Sequence, residues 1–73
     1  LKPSYGRIPA FPPSPFAIVS HIGPMTRSVR DAALMMAVAA GPDPRDITAL
    51  HEPSRDPRGT LGDGVAGLRI GYS

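Results

Sequence analysis

One segment limits what this chain can fold into more than any other. The run from Val29 to Ala40 reads as a helix, and from Ala32 onward it is apolar on every side. Ser28 is a fitting N-cap, because a hydroxyl there can accept from the unpaired amides of the first turn. Asp31 puts an anion where the helix dipole favours one. Thr26 is a rival cap, and Gly41 with Pro42 ends the helix in the expected order. Val29, Ala32, Ala33, Met36, Ala37 and Ala40 share one face at helical spacing, and Leu34, Met35, Val38 and Ala39 fill the rest. A helix apolar all round belongs inside a larger body. One of about 12 residues is also marginal by itself.

A chain of 73 residues buries only roughly 60% of its unfolded surface, so it cannot cover such a helix alone. Small scaffolds add disulfides, a metal or a partner. There is no cysteine, which removes disulfides and thiolate metal sites and points to a reducing, cytoplasmic setting. There is no Trp, and only two Phe and two Tyr, so large core-filling groups are scarce. The first residue is Leu1, not Met. The expectation is a partial domain over residues 1–73 that packs against the remainder of a parent protein or against itself.

The rest of the chain is mostly irregular and rich in proline. Ser4-Tyr5-Gly6 is a turn candidate. Pro9, Pro12 and Pro15 recur every third residue, which suits polyproline II. Arg7 is not at the offset a proline-reading partner wants, so a stiff surface loop is the favoured reading. Phe16-Ala17-Ile18-Val19 is short, apolar and partly β-branched, so residues 16–20 read as an extended segment. Residues 42–63 read as a long polar loop, unusual inside a compact domain. Leu68 to Tyr72 alternates in polarity and reads as a strand. No internal repeat stands out.

Several chemistries can be weighed and set aside. The basic residues are scattered, and the net charge is only +2, whereas a nucleic-acid footprint needs them on one face. No apolar run approaches membrane-spanning length, and no secretory leader is visible. Gly62, Gly64 and Gly67 mimic a dinucleotide motif, but a polar loop precedes them and no crossover helix follows. His21 and His51 have no partner at metal-ligand spacing, and Asp43, Asp46, Glu52 and Asp56 do not match a calcium loop. Ser20 and His21 are adjacent. On an extended chain they point to opposite sides and cannot easily share a proton.

Four blocks, taken in order, carry a resemblance. They are Leu1-Lys2-Pro3-Ser4-Tyr5-Gly6-Arg7-Ile8, the run from Ile22-Gly23-Pro24-Met25-Thr26-Arg27-Ser28 to Ala33, Ala40-Gly41-Pro42-Asp43-Pro44-Arg45-Asp46, and Gly67-Leu68-Arg69-Ile70-Gly71. In sequence and spacing they resemble the part of the amidase-signature family that follows its catalytic Gly/Ser-rich segment. Residues 47–66 carry no specific signal.

The resemblance implies an α/β fold, a mixed sheet flanked by helices. This chain would supply one buried helix at about 29–40, an extended segment at about 16–20 and a strand at about 68–72. It also implies amide hydrolysis to an acid and ammonia or an amine through an acyl-serine intermediate. A Ser–cis-Ser–Lys triad does this work in the family, with no metal or organic cofactor. All three triad residues lie upstream of the block that begins at Leu1. Lys2 belongs to the later block and is not the triad lysine, and Ser4, Ser14, Ser20 and Ser28 match no nucleophile motif. The expectation is therefore no catalytic, cofactor-binding or metal residue in this chain, and no activity from it alone. A self-associating interaction module derived from an amidase is the alternative. Ser20 stands where many relatives have Asp. Phe11 and Phe16 fall near the family's substrate funnel, although core or surface packing is the reading these residues favour.

Overall fold

The computed structural model describes all 73 residues. One α-helix forms, α1 (Val29–Ala39), with a 3-10 turn on either side of it in sequence, Ala17–Val19 and Pro57–Thr60. Ser28 caps α1 as its sequence suggests: it is extended, and its Oγ accepts from the Asp31 amide at 3.1 Å. Thr26 does not compete, because its hydroxyl instead donates to the Ser28 carbonyl at 2.8 Å. Ala40 leaves the helix as an extended C-cap whose N–H still reaches the Met36 carbonyl. The helix end thus falls one residue before the expected one.

Around α1 the chain is woven rather than layered. The Ser4-Tyr5-Gly6 turn closes through Arg7 N–H donating to the Ser4 carbonyl at 3.1 Å. The segment leaving it is gripped from two directions. The Gly41 amide donates to the Arg7 carbonyl at 3.2 Å, and the Leu50 amide to the Gly6 carbonyl at 2.9 Å. Leu1 donates its terminal amine to the Pro24 carbonyl at 3.0 Å. Two glycines allow these approaches. A Cβ on Gly6 (φ +74) would lie 2.2 Å from the Thr48 carbonyl oxygen, and one on Gly23 would lie 2.3 Å from that of Leu1.

The core is small. Ala33, Met36 and Ala49 are its buried apolar residues, and only six residues in all are buried. The expected inward face of α1 is the one that packs, except at Val29, which is exposed. The rest of the helix stays open: Val38 is 81% exposed, and Leu34 and Met35 about half. Twenty backbone hydrogen bonds form, against roughly 50 for a typical folded chain of this length. The radius of gyration is 13.9 Å, where a compact domain this size has about 11 Å. No helix is long and apolar enough to cross a membrane.

Three expectations are corrected. Residues 16–20 are not extended. Ser14 receives the Phe16 amide on its Oγ (3.2 Å) and the Ala17 amide on its carbonyl (3.1 Å), and a 3-10 turn follows. Leu68 to Tyr72 forms no strand, and both Leu68 and Ile70 are exposed. The cause is the same in both places. A strand needs a neighbour for its amides, and this chain offers none, so residues 16–20 use local bonds and residues 68–72 remain irregular. The α/β sheet is accordingly absent from these residues. The proline stretch is not a continuous polyproline II helix either: it bends at Phe11 and Pro12, joined by a cis peptide bond, and turns at Pro15.

The loop over 42–63 is more organised than its composition suggests. Asp43-Pro44-Arg45 and Asp56-Pro57-Arg58 make the same clip twice. In each, Asp Oδ1 receives the Arg backbone amide, at 2.9 and 3.0 Å, while the guanidinium grips both carboxylate oxygens. Between the clips, Asp46 is buried and fully used. Its Oδ2 accepts from the Ala10 amide at 2.7 Å, and its Oδ1 from the Thr48 amide (2.8 Å) and hydroxyl (2.6 Å). Asp46 therefore ties the proline-rich stretch to the loop.

Candidate functional site

The side chains with chemical potential gather in a cavity of about 420 Å³ between the N-terminal turn, residues 17–22 and residues 45–48. Ser4, Tyr5, Ser20, His21, Arg45 and Thr48 contribute polar groups to its lining, and Ile8, Ile18, Ile22 and Ile47 contribute apolar ones. His21 packs edge-on to Tyr5, with ring centroids 5.6 Å apart at 67°. Its Nδ1 lies 3.4 Å from the Val19 carbonyl oxygen.

Ser20 and His21 make no hydrogen bond to each other, so adjacency in sequence has not become a nucleophile–base pair. Three other serines have local duties. Ser28 caps α1, Ser14 receives the Phe16 amide, and Ser54 donates to the Arg55 carbonyl. Lys2 is exposed and hydrogen-bonds to no serine. Phe11 and Phe16 are exposed and do not line the cavity. Phe11 lies under the Arg45 guanidinium, 5.3 Å from its ring centre.

The electrostatics of this region come from the acidic loop. The Arg45 guanidinium, bonded to both Asp43 oxygens, holds that carboxyl down at about 2, and Arg58 does the same for Asp56. The Asp46 carboxyl is also held below its ordinary range, chiefly by the Thr48 hydroxyl and then by the Ala10 and Thr48 amides. Asp43 and Asp56 serve their own loop, Asp46 also holds the Ala10 amide, and no group of three or more His, Cys, Asp or Glu lies together in a metal-holding arrangement. The glycines at 62–67 form two successive turns, closed by Asp63 N–H to Thr60 and Leu68 N–H to Val65. No helix follows them, so they present no helix N-terminus to a pyrophosphate.

Two features are not evident from the sequence patterns above. The first is the role of Asp46. Asp-x-Thr is a recognisable side-chain-to-backbone turn, and that signal is the one that could have found the knot. The second is a grouping of arginines distant in sequence, for which no local signal exists.

Several of the polar side chains described above hold local turns or tie crossing segments of the chain, and comparison with known proteins gives its family. The amidase family model matches residues 1–73 without a gap at either end. The chain belongs to the amidase-signature family. Among its relatives is the A subunit of glutamyl-tRNA(Gln) amidotransferase from Trichlorobacter lovleyi, 46% identical over 72 residues, a stretch covering 97% of this chain and 15% of the relative. The proteins of the same name from Rubrobacter xylanophilus and Synechococcus are 47% and 46% identical over the same coverage. The chain thus spans about 15% of the length of these amidase-signature relatives. No solved structure matches it.

Proposed function

We propose that these 73 residues are a partial amidase-signature domain, the scaffold segment that follows the catalytic signature, and that the parent protein hydrolyses a carboxylic amide. The parent's serine would attack the amide carbonyl, ammonia or an amine would leave, and water would release the acid from the acyl-serine. The relatives' name, which makes them one subunit of an amidotransferase, adds transfer of the freed nitrogen within a larger complex as a variant of the same opening step. In the parent, a reducing cytoplasmic setting and an α/β fold follow from the same reading, with the missing sheet supplied by other segments.

The observation that carries the reading is the family match across the whole chain, joined to side chains already engaged in holding the weave. No serine here has a basic partner. The purified chain is expected to release no acid or amine from a panel of acyl amides and p-nitroanilides. Turnover by the chain that disappears in Ser4→Ala or Ser20→Ala would overturn the assignment.

The exposed flank of α1, with Leu34, Met35 and Val38 uncovered, favours a second reading, a module that buries this flank by self-association. Size exclusion over a dilution series bears on both. A folded monomer at every concentration argues against a scaffold segment that needs its parent, whereas aggregation or disorder supports it.

A further inference from the structure

The fold gathers three arginines that the sequence scatters. Arg7, Arg27 and Arg55 all line one cleft of about 620 Å³, walled by residues 1–7, the start of α1 and residues 54–61. No Asp or Glu lines it. Elsewhere Arg45 and Arg58 each hold a carboxylate by a double grip, whereas Arg30 and Arg69 hold none. Arg27 and Arg55 have no carboxylate partner, and Arg7 spends one Nη1–H on the Glu52 carbonyl at 3.4 Å, a weak bond. The floor is apolar, with Ala32, Met36 and Leu61 lining the cleft. The site rests on the arginines and not on the start of α1, where the Ser28 hydroxyl takes the Asp31 amide.

From this we infer that the cleft binds a phosphate monoester of a small organic molecule. Three arginines that line one cleft, with no Asp or Glu among its lining residues, favour an anion there. A guanidinium offers a planar fork of donors that matches oxyanions in pairs. A carboxylate spreads a single negative charge over two oxygens. A phosphate dianion presents three terminal oxygens and a charge near −2, so it can serve more than one arginine. The cleft's volume lies within the range of small-molecule sites, roughly 300–1,000 Å³, which leaves room for an organic group against Met36 and Leu61. This inference uses no residue of the proposed reaction and stands or falls on binding.

The test is a titration of the 73-residue chain, followed by amide chemical shifts, with phenyl phosphate, inorganic phosphate and benzoate. Phenyl phosphate is expected to saturate and to bind at least about tenfold more tightly than benzoate, which has the same ring and one negative charge. A phosphate-to-guanidinium bond is worth enough for each of Arg27→Gln and Arg55→Gln to weaken binding roughly tenfold. Arg69→Gln, outside the cleft, should leave it within about twofold. Inorganic phosphate binding as well as the ester would support the anion site and assign it to the free ion. Benzoate binding equally well, an equal loss in Arg69→Gln, or no saturable binding would overturn the inference. So would a chain that lacks the helical circular dichroism of α1 during the titration, because the cleft exists only when its three walls are assembled.

Discussion

Replacing Gly6 with alanine is the sharpest probe of the weave, because two separable costs meet there. Gly6 has φ +74, and a Cβ at that position would sit 2.2 Å from the Thr48 carbonyl oxygen and 3.4 Å from the Leu50 nitrogen. The left-handed backbone costs a non-glycine residue roughly 1–2 kcal/mol. The steric cost is larger in consequence than in distance. The Thr48 carbonyl must retreat by about 1 Å to restore ordinary contact, and the bond from the Leu50 amide to the Gly6 carbonyl, 2.9 Å long, holds it in place. Losing that bond costs about 1 kcal/mol. Together the penalty is about 2–3 kcal/mol, a roughly 30- to 150-fold change in an opening equilibrium. The assay is hydrogen exchange at the Leu50 amide, with Gly64→Ala as the comparator. Gly64 has nearly the same backbone angle, φ +70, and nothing within 4 Å, so it carries the backbone cost without the collision. Gly6→Ala should raise Leu50 exchange at least about 30-fold while Gly64→Ala leaves it within about twofold. Equal effects from both, or an unchanged Leu50 amide in Gly6→Ala, would refute the claim that close approach at residue 48 governs the weave.

Further outcomes follow from the same contacts. Asp46→Asn turns one acceptor oxygen into a donor, so either Ala10 or Thr48 loses its partner; faster exchange at the Ala10 or the Thr48 amide at neutral pH is expected, and unchanged exchange at both would contradict it. In the wild-type chain the Asp46 carboxyl has a folded pKa below its ordinary value of 3.8. Its contribution is therefore complete above about pH 4 and is lost as pH falls through the folded pKa; the Ala10 amide should report this acid transition, and Asp46→Asn should abolish it. Ser28→Ala removes the cap of α1 and should cost about 1 kcal/mol of helix stability, seen as lost helical circular dichroism; Thr26→Ala should not, because the Thr26 hydroxyl donates to Ser28 instead of capping. Leu34→Lys with Val38→Lys, both on the open flank, should reduce concentration-dependent association in size exclusion without removing α1; an unchanged elution profile across dilution would show that this flank is not the sticking surface.

How much of this is legible in the sequence depends on whether the forces are local. Ser28 with Asp31 opens α1, and Ala40 with Met36 closes it, through bonds spanning a few residues, so the helix can be read to within one residue of its end. The packed face can be read as well, because Ala33 and Met36 follow from helical spacing, although Val29 on the same face stays exposed. The two expected extended segments fail for the opposite reason. Alternating or β-branched residues state a preference for a sheet, and a sheet requires a second strand that residues 1–73 do not contain. The Asp-Pro-Arg clips and the Asp46 knot lie between these cases. Their geometry is local and their residue types are in plain view, but each aspartate taken singly reads as a solvated loop charge. The convergence of Arg7, Arg27 and Arg55 cannot be read at all, since it is produced by the weave.

The positions that carry the family resemblance are also where the chain crosses itself. Leu1 meets Pro24, Gly23 faces Leu1 and Pro3, Gly41 bonds to Arg7, and Asp46 reaches back to Ala10. The first three blocks thus hold one another by backbone bonds at points where a side chain would not fit or a proline ends a segment. This accounts for their composition without any appeal to catalysis. A Gly-Pro pair is needed where the N-terminal segment passes at van der Waals distance, and a Gly is needed where residue 6 passes under residue 48. The fourth block, Gly67 to Gly71, makes no hydrogen bond to the others and is exposed throughout, and its expected strand is absent. A block that follows the family pattern but finds no partner within the chain is what a scaffold segment would show if its remaining contacts belong to the rest of an amidase-signature domain.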